Sequence, residues 1–306
     1  MKVDKRNGEC LYNDLEHVYW KESTNEKYIS VTTLIGRFEA KFDKDFWSKY
    51  KALERILGKE RFALEKTKLL KTHKFDIEVL SIYDISEKDF LSVQQDILDE
   101  WEQTNKESCE RGTAIHAQLE AYSKGGKFKE KIVPKLNKDF DNFNCYVNPD
   151  KNELVKSIDR GILPEYLVYR ESDDGVLKIA GQIDLLIKDG NDIYIVDYKT
   201  NKEIKMKSGF DTSTKRNAMM QYPLNNLMDC NYIHYTLQLS TYAWMLQKIN
   251  PEYNVKGLIL VHYDHNGNVT TYQLDYLKSD VERMLAYYKT VRKRELAEEQ
   301  RKKIEF

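Results

Sequence analysis

Two aspartates and one lysine in the second half of the chain have the residue types and the spacing of a metal-dependent hydrolytic site. Asp184 lies in the segment GQIDLLI, and Asp197 and Lys199 lie in the segment IVDYKT. Because side chains alternate across a strand, Asp197 and Lys199 point to one face if IVDYKT is a strand. Carboxylate oxygens bind Mg²⁺, and the bound ion polarises a phosphate and lowers the pKa of a water that the lysine can orient. The set predicts divalent-metal hydrolysis of phosphodiesters.

A plain structural role is the alternative explanation for the same residues. The triplet DYK by itself favours an ion pair between Asp197 and Lys199 beside a turn aspartate. Two observations favour the catalytic explanation. Asp184 lies in an otherwise apolar segment, where an unpaired carboxylate is costly to bury. A further acidic residue, Glu165, precedes it on an earlier predicted strand.

Two other segments carry polar residues at helical spacing. In GTAIHAQLE, His116 shares a helix face with Glu120, and in QLSTY, Gln238 shares one with Tyr242. Taken alone, a histidine on a helix is more often an ordinary core or surface residue than a metal ligand. The Gln238 and Tyr242 pair alone is nearly uninformative. Each of these two segments becomes informative only together with the other motifs.

The first part of the chain must supply a hairpin and helices. Residues 15–32 alternate as a hairpin around a polar turn, and residues 44–122 have helical periodicity. Within that range the pattern predicts one helix that begins at Ser86. It predicts a second, separate helix that carries GTAIHAQLE and stops at Gly125-Gly126.

The remainder predicts an α/β domain. Three strands follow one another after Pro164, then come a helix over about Tyr235 to Ile249, a second hairpin and a charged helix from Ser279. This order implies a central mixed β-sheet flanked by helices, with the N-terminal helical segment packed against it or forming a lobe. We place the predicted boundaries so that the segments are residues 1–107, 108–275 and 276–306.

The charge balance limits how the protein can hold nucleic acid. The formal net charge is −1 although 32% of residues are charged. Because phosphate neutralisation dominates nucleic-acid affinity, basic residues must be concentrated locally or metal ions must contribute. Lys202 and Lys205 follow the DYK strand and either track phosphates or lie in a solvated loop. The sequence has no signal-peptide pattern and no membrane-length apolar run, so we expect a soluble, cytoplasmic protein with no membrane partner.

Five short motifs occur in the order typical of the RecB-like branch of the PD-(D/E)XK nuclease superfamily. That branch has a G-T-x-x-H helix, an early acidic residue, G-x-x-D, (D/E)-x-K and a final Q-x-x-x-Y. The matching residues are Gly112-Thr113-Ala114-Ile115-His116, Glu165, Gly181-Gln182-Ile183-Asp184, Asp197-Tyr198-Lys199 and Gln238-Leu239-Ser240-Thr241-Tyr242. The chain resembles this branch over about residues 108–245, and YISVTTLIGRFE adds a looser resemblance to phage-type exonucleases.

The resemblance implies a restriction-endonuclease-like core and a role for each matched residue. The implied ligands of Mg²⁺ or Mn²⁺ are His116, Asp184, Asp197 and the backbone carbonyl of Tyr198. Glu165 would hold a second metal or a metal-bound water, and Lys199 would serve the nucleophilic water. Gln238 and Tyr242 would contact the DNA backbone or brace the site from the side away from the substrate.

Cysteine spacing argues against one cofactor of that branch. Its iron–sulfur members carry one cysteine before the core and three clustered after it. Here the cysteines lie far apart, and only Cys230 follows the core strands; the others are Cys10, Cys109 and Cys145. We therefore expect no iron–sulfur cluster.

The resemblance also implies an activity. It suggests a metal-dependent DNA exonuclease of viral or mobile-element recombination type, acting on linear duplex or single-stranded DNA in the host cell. The alternatives are an endonuclease or spacer-processing nuclease of the same fold, and a nucleic-acid-binding module that has lost catalysis. The presence of all the acidic residues and the lysine weighs against a lost activity. A recombination partner protein and an oligomer are both compatible with this activity.

Overall fold

The chain divides into two units, which the computed structural model describes over residues 5–124, 143–146, 154–211 and 216–304. The larger unit comprises Met1–Ala40, Thr113–Phe210 and Asn217–Phe306, and the smaller one comprises Lys41–Gly112 and Asp211–Arg216. The three segments predicted from the sequence, with boundaries after residues 107 and 275, stay a prediction about domains.

A mixed β-sheet forms the centre of the larger unit. Its strands are β1 (Lys5–Asn7), β2 (Cys10–Asn13), β3 (Val18–Lys21), β4 (Lys27–Ser30), β5 (Asn144–Cys145), β6 (Arg160–Glu171), β7 (Lys178–Asp189), β8 (Asp192–Lys199), β11 (Asn254–Tyr263) and β12 (Val269–Leu274). Two short strands, β9 (Phe210–Asp211) and β10 (Arg216–Asn217), pair separately. The predicted hairpins, β3–β4 and β11–β12, are both present and antiparallel.

The helices lie before, between and after these strands. In chain order they are α1 (Val31–Gly36), α2 (Lys44–Thr72), α3 (Glu78–Ile82), α4 (Glu87–Lys124), α5 (Leu154–Ser157), α6 (Asn231–Ile249) and α7 (Lys278–Ile304). Over the residues that the structure describes, every helix is too short or too polar to cross a membrane.

Along one of its edges, strand β7 pairs with two different strands, β4 at its beginning and β8 at its end. Along its other edge it pairs antiparallel with β6. On the shared edge, β4 runs parallel to it and the pairing reaches Ala180, whereas β8 runs antiparallel to it and the pairing begins at Leu185, opposite Val196. Strand β8 continues beside the parallel strand β11 as far as Lys199, opposite His262. The last residues of β8 therefore extend beyond its ladder with β7.

Apolar side chains on the two faces of the sheet form separate cores. The neighbouring β8 residues Ile195 and Val196 belong to different cores, as the alternation of side chains requires. Leu119 of α4 packs with Val196 on one face, and Leu239 of α6 belongs to the core on the other. Helix α6 is buried without interruption from Thr236 to Ala243. A central mixed sheet flanked by helices is thus confirmed.

One helix replaces the two that the sequence predicted before the core. Helix α4 runs from Glu87 to Lys124 without interruption, so the prediction of a break before GTAIHAQLE was wrong. The connecting residues contain no proline, and the single Gly112 costs only about 1 kcal/mol of helix propensity relative to alanine. The predicted stop at Gly125-Gly126 lies outside the described residues.

The smaller unit has its own core and is helical, as predicted. Asp43 accepts a hydrogen bond from the backbone N–H of Phe46 at 2.9 Å and so caps the start of α2. Gly58 has a φ of 72° and interrupts α2, which is therefore two helical stretches. The core of this unit consists of buried side chains from α2, α3 and the first part of α4, among them Phe46, Leu53, Phe62, Leu80 and Phe90.

Replacement of Leu53 by alanine should destabilise the smaller unit, because Leu53 is fully buried in its core. The transfer and cavity terms predict a loss of about 3 kcal/mol in the free energy of unfolding. Leu64→Ala in the second stretch of α2 is the control, since Leu64 is 75% exposed and should cost less than about 0.5 kcal/mol. Urea denaturation measures both values, and equal losses would contradict the assigned core.

Candidate active site

The end of the β7–β8 ladder creates the first contact of the site. Asp184 is the first β7 residue beyond the pairing of Leu185 with Val196. Its Oδ2 accepts a hydrogen bond from the backbone N–H of Tyr198 at 2.7 Å. Within the ladder a backbone N–H of β8 donates to a neighbouring strand, but beyond it the Tyr198 N–H donates to a side chain. Asp184 is thereby fixed in an apolar strand without being buried alone.

Glu165 lies opposite Asp184 on β6 in an unusual backbone conformation. The flanking pairs join Pro164 to Leu185 and Tyr166 to Ile183, while Glu165 itself has a φ of 51°. A left-handed conformation is costly for a residue with a side chain, by about 1–3 kcal/mol, and such residues cluster at functional sites. The Nε2 group of Gln182 donates a hydrogen bond to the Glu165 carboxylate.

His116 reaches the same place from α4. Its Nε2–H donates to the backbone carbonyl of Tyr198 at 3.0 Å, and its Nδ1 lies 3.6 Å from Oδ1 of Asp184. Burial lowers the pKa of His116 below its ordinary value, and Lys199 lowers it further, although Asp197 and Glu165 act in the opposite direction. The lowered pKa favours the neutral imidazole, which is the form that binds metals.

Three donor groups come together and fit a divalent metal ion. One donor atom each of His116, Glu165 and Asp184 lie within 4.8 Å of one another, and all three residues are partly buried. Two carboxylates and an imidazole match the ligand preferences of Mn²⁺, and the carboxylates match those of Mg²⁺. The donor set therefore fits a divalent metal ion, and the identity of the ion stays a prediction.

Asp197 is held by different partners. Its Oδ2 lies 2.5 Å from Nζ of Lys199, and its Oδ1 accepts from Nε2 of Gln238 at 3.1 Å. The side chain of Asp197 is only 2% exposed. Burial alone would lower the pKa of Lys199, but the charges of Asp197 and Asp184 outweigh burial and raise it. Lys199 is therefore a cation, and the Asp197–Lys199 pair lies beside the three-donor cluster.

Gln238 and Tyr242 contact the site from α6. Nε2 of Gln238 also donates to the hydroxyl of Tyr242 at 3.1 Å, and both side chains are buried. The Tyr242 ring lies against Gly181, where an added Cβ would come within 2.4 Å of the ring. This close approach explains why the first position of the GQID segment is a glycine, since any side chain there would overlap the Tyr242 ring. Burial favours the bracing role over the DNA contact for these two residues.

The two predicted phosphate-tracking lysines lie on the surface. Lys202 and Lys205 are exposed, and Nζ of Lys205 lies 3.4 Å from a carboxylate oxygen of Glu203. Their role stays a prediction. No role was predicted from the sequence for Gln182 or for Tyr235, whose ring is 4.8 Å from Nζ of Lys199. For Tyr235 a signal was available, because it lies three residues before Gln238 and so shares its helix face.

Comparison with protein families identifies the class of protein that this fold and site define. The model of the PD-(D/E)XK nuclease superfamily matches residues 88–305, more than two thirds of the chain. The chain belongs to the PD-(D/E)XK nuclease superfamily. The match includes the positions from His116 to Tyr242, and it confirms the restriction-endonuclease-like fold predicted from the sequence.

Other comparisons do not refine this assignment. The crystal structure of SSO0001 shares 20% sequence identity with the chain and has a TM-score of 0.27. The matched part covers 42% of this chain and 50% of SSO0001, so the chain spans about half the length of that protein. A similarity this low adds nothing to the assignment. No curated protein matches the chain.

Replacement of Gly181 by alanine should disturb the contact with Tyr242, because the new methyl group would overlap the ring. Overpacking of this kind predicts a loss of about 1–3 kcal/mol in the free energy of unfolding. Gly36→Ala is the control, since a Cβ at Gly36 meets nothing within 4 Å. Thermal unfolding of both variants tests this, and a Gly181→Ala variant as stable as the control would disprove the close approach.

Proposed function

We propose that the protein is a metal-dependent DNA exonuclease of the RecB-like branch. The observation that carries the proposal is the convergence of His116, Glu165 and Asp184 within 4.8 Å beside the Asp197–Lys199 pair. Within a nuclease superfamily, an intact donor set and an intact lysine support catalysis over a module that only binds nucleic acid. Mg²⁺ or Mn²⁺ is the proposed cofactor, held by these three residues.

Each side chain then has a defined task. A bound divalent ion would polarise the scissile phosphate and make a water molecule more acidic. His116, Glu165 and Asp184 would bind and orient the ion, with the Tyr198 carbonyl as the contact that sets the imidazole ring. Lys199 would orient the attacking water or neutralise charge that develops on the phosphate. Asp197 would hold the Lys199 ammonium from its buried position.

The preference for DNA ends rests on the resemblance to phage-type exonucleases. A role in viral or mobile-element recombination follows from the same resemblance. We include in the proposal linear duplex or single-stranded DNA as substrate, because these substrates present ends. Lys202 and Lys205, exposed after the β8 strand, are the proposed phosphate contacts.

Cleavage should require a divalent metal, and Mn²⁺ should support it at least as well as Mg²⁺, because imidazole suits Mn²⁺ better. The assay incubates pure protein with end-labelled linear DNA and with covalently closed circles, in EDTA, Mg²⁺ or Mn²⁺. We expect small products from linear DNA, intact circles and no cleavage in EDTA. Activity in EDTA would end the metal hypothesis. Rapid linearisation of supercoiled plasmid would show that the protein is an endonuclease and not an exonuclease.

Two substitutions should separate metal binding from turnover. Asp184→Asn keeps an oxygen for the Tyr198 N–H but removes the charge, so Mn²⁺ binding and cleavage should both be lost. Lys199→Ala leaves the donor cluster intact, so Mn²⁺ affinity should persist while the turnover number falls by about 10²–10⁴-fold. Isothermal titration with Mn²⁺ and initial cleavage rates provide the two measurements.

The control for both variants is Lys256→Ala, which removes a half-exposed lysine on β11. It should leave binding and turnover unchanged. Lys199→Ala will also be less stable, because Asp197 keeps a buried charge without its cation. Rates are therefore measured well below its unfolding midpoint. If Lys199→Ala cleaves at the wild-type rate, the task assigned to the lysine is wrong.

A further inference from the structure

Helix α6 presents a third residue to the active site, one turn before Gln238. Tyr235, Gln238 and Tyr242 are separated by three and four positions and so lie along one face of the helix. Gln238 contacts Asp197, and Tyr242 lies against Gly181. The centroid of the Tyr235 ring is 4.8 Å from Nζ of Lys199. This distance is within the range of a cation–π contact.

The Tyr235 ring is itself held by a chain of two hydrogen bonds. Its hydroxyl donates to Oδ1 of Asn201 at 2.7 Å. The backbone carbonyl of Asn201 accepts from Nε2–H of His262, also at 2.7 Å. His262 is buried, and it lies directly opposite Lys199 in the β8–β11 register. Asn201, two residues after β8, therefore links the Tyr235 ring to His262, the β11 residue paired with Lys199.

A lysine with only one restraint would be poorly positioned for catalysis. Its side chain has four rotatable bonds and loses up to about 2 kcal/mol of conformational entropy when it is fixed. Asp197 attracts the ammonium group from one direction, at 2.5 Å. An aromatic ring face attracts the same charge without accepting a conventional hydrogen bond. The remaining N–H groups of Lys199 thus stay available for a water or a phosphate.

We propose that Tyr235 is a positioning residue, whose ring face fixes the ammonium group of Lys199 against Asp197. This inference rests on the proposed function, in which Lys199 acts on the attacking water or the phosphate. The ring acts through Lys199 and does not touch the substrate. It follows that loss of the ring lowers the turnover number, while the affinities for metal and for DNA stay as they are.

The test compares Tyr235→Leu and Tyr235→Met, which remove the ring, with Tyr235→Phe, which keeps it. We expect kcat to fall about tenfold in the first two, with KM for DNA and Mn²⁺ affinity unchanged, and Tyr235→Phe to stay within about threefold of wild type. Tyr232→Leu, one turn earlier in the same helix, removes a ring that contacts Tyr272 instead. That control should keep wild-type kcat.

A double-mutant comparison and a spectroscopic readout make the outcome decisive. In a Lys199→Met background, Tyr235→Leu should cause no further loss of kcat, because the group that it positions is gone. In protein labelled with ¹³Cε-lysine, the Lys199 signal should show an upfield ring-current shift that persists in Tyr235→Phe and disappears in Tyr235→Leu. The shift reports the contact whether or not the protein cleaves DNA.

Three results would overturn the assignment. A raised KM with unchanged kcat in Tyr235→Leu would make the ring a DNA contact. Equal loss in Tyr235→Phe and Tyr235→Leu would make the hydroxyl, not the ring face, the important group. A Lys199 signal without a ring-current shift would remove the contact itself. By contrast, wild-type protein that cleaves no DNA with Mn²⁺ but shows the shift would defeat the proposed function and leave the contact in place.

Discussion

The hydrogen bond from the backbone N–H of Tyr198 to the Asp184 carboxylate is the contact on which the site depends. It occurs where β8 leaves β7 and continues beside β11. At that point the alternation of side chains sends Asp197 and Lys199 to the face covered by α6. The Tyr198 carbonyl meets His116, from the helix on the opposite face. Separation of two strands thus brings groups from both faces of the sheet to one place.

The site separates its charges into two arrangements. Asp197 is almost fully buried, and it is compensated within the protein by Lys199 and by the amide of Gln238. Glu165 and Asp184 are less buried; Glu165 accepts from the Gln182 amide, and Asp184 accepts from the backbone N–H of Tyr198. Neutral donors stabilise a carboxylate without cancelling its charge. The donor atoms of His116, Glu165 and Asp184, which lie within 4.8 Å of one another, suit a cation from solution, whereas Asp197 has Lys199 as its cation.

The sequence predicted which residues meet at the candidate site better than it predicted their contacts. His116, Asp184 and Lys199 could be found because their residue types and order are informative, and the predicted strands follow from alternation and turn residues. The left-handed backbone of Glu165 could not be predicted, since it depends on the neighbouring strand and not on the local sequence. The ion pair between Asp197 and Lys199 was one of the two explanations of the DYK triplet, but the contact of Asp197 with Gln238 could not be predicted, because it joins a strand to a helix 41 residues away.

Long-range pairing explains most of what the sequence analysis missed in the fold. The hairpin β3–β4 was predicted, but its addition to the main sheet joins Ile29 to Ile179, and no local pattern encodes such a partner. The unbroken helix α4 has a simpler cause. Polar residues that favour a loop are also compatible with an exposed helix, so composition alone does not place a break.

The burial of α6 on every side has a mechanical consequence for the site. Eight consecutive residues, Thr236 to Ala243, are shielded from solvent, so the helix cannot rotate about its axis without breaking packing in all directions. A slip of one residue would turn the helix by about 100° and carry Gln238 and Tyr242 away from their partners together. The surrounding core therefore fixes the orientation of α6, and apolar contacts on its far side help to set the distances at the candidate site.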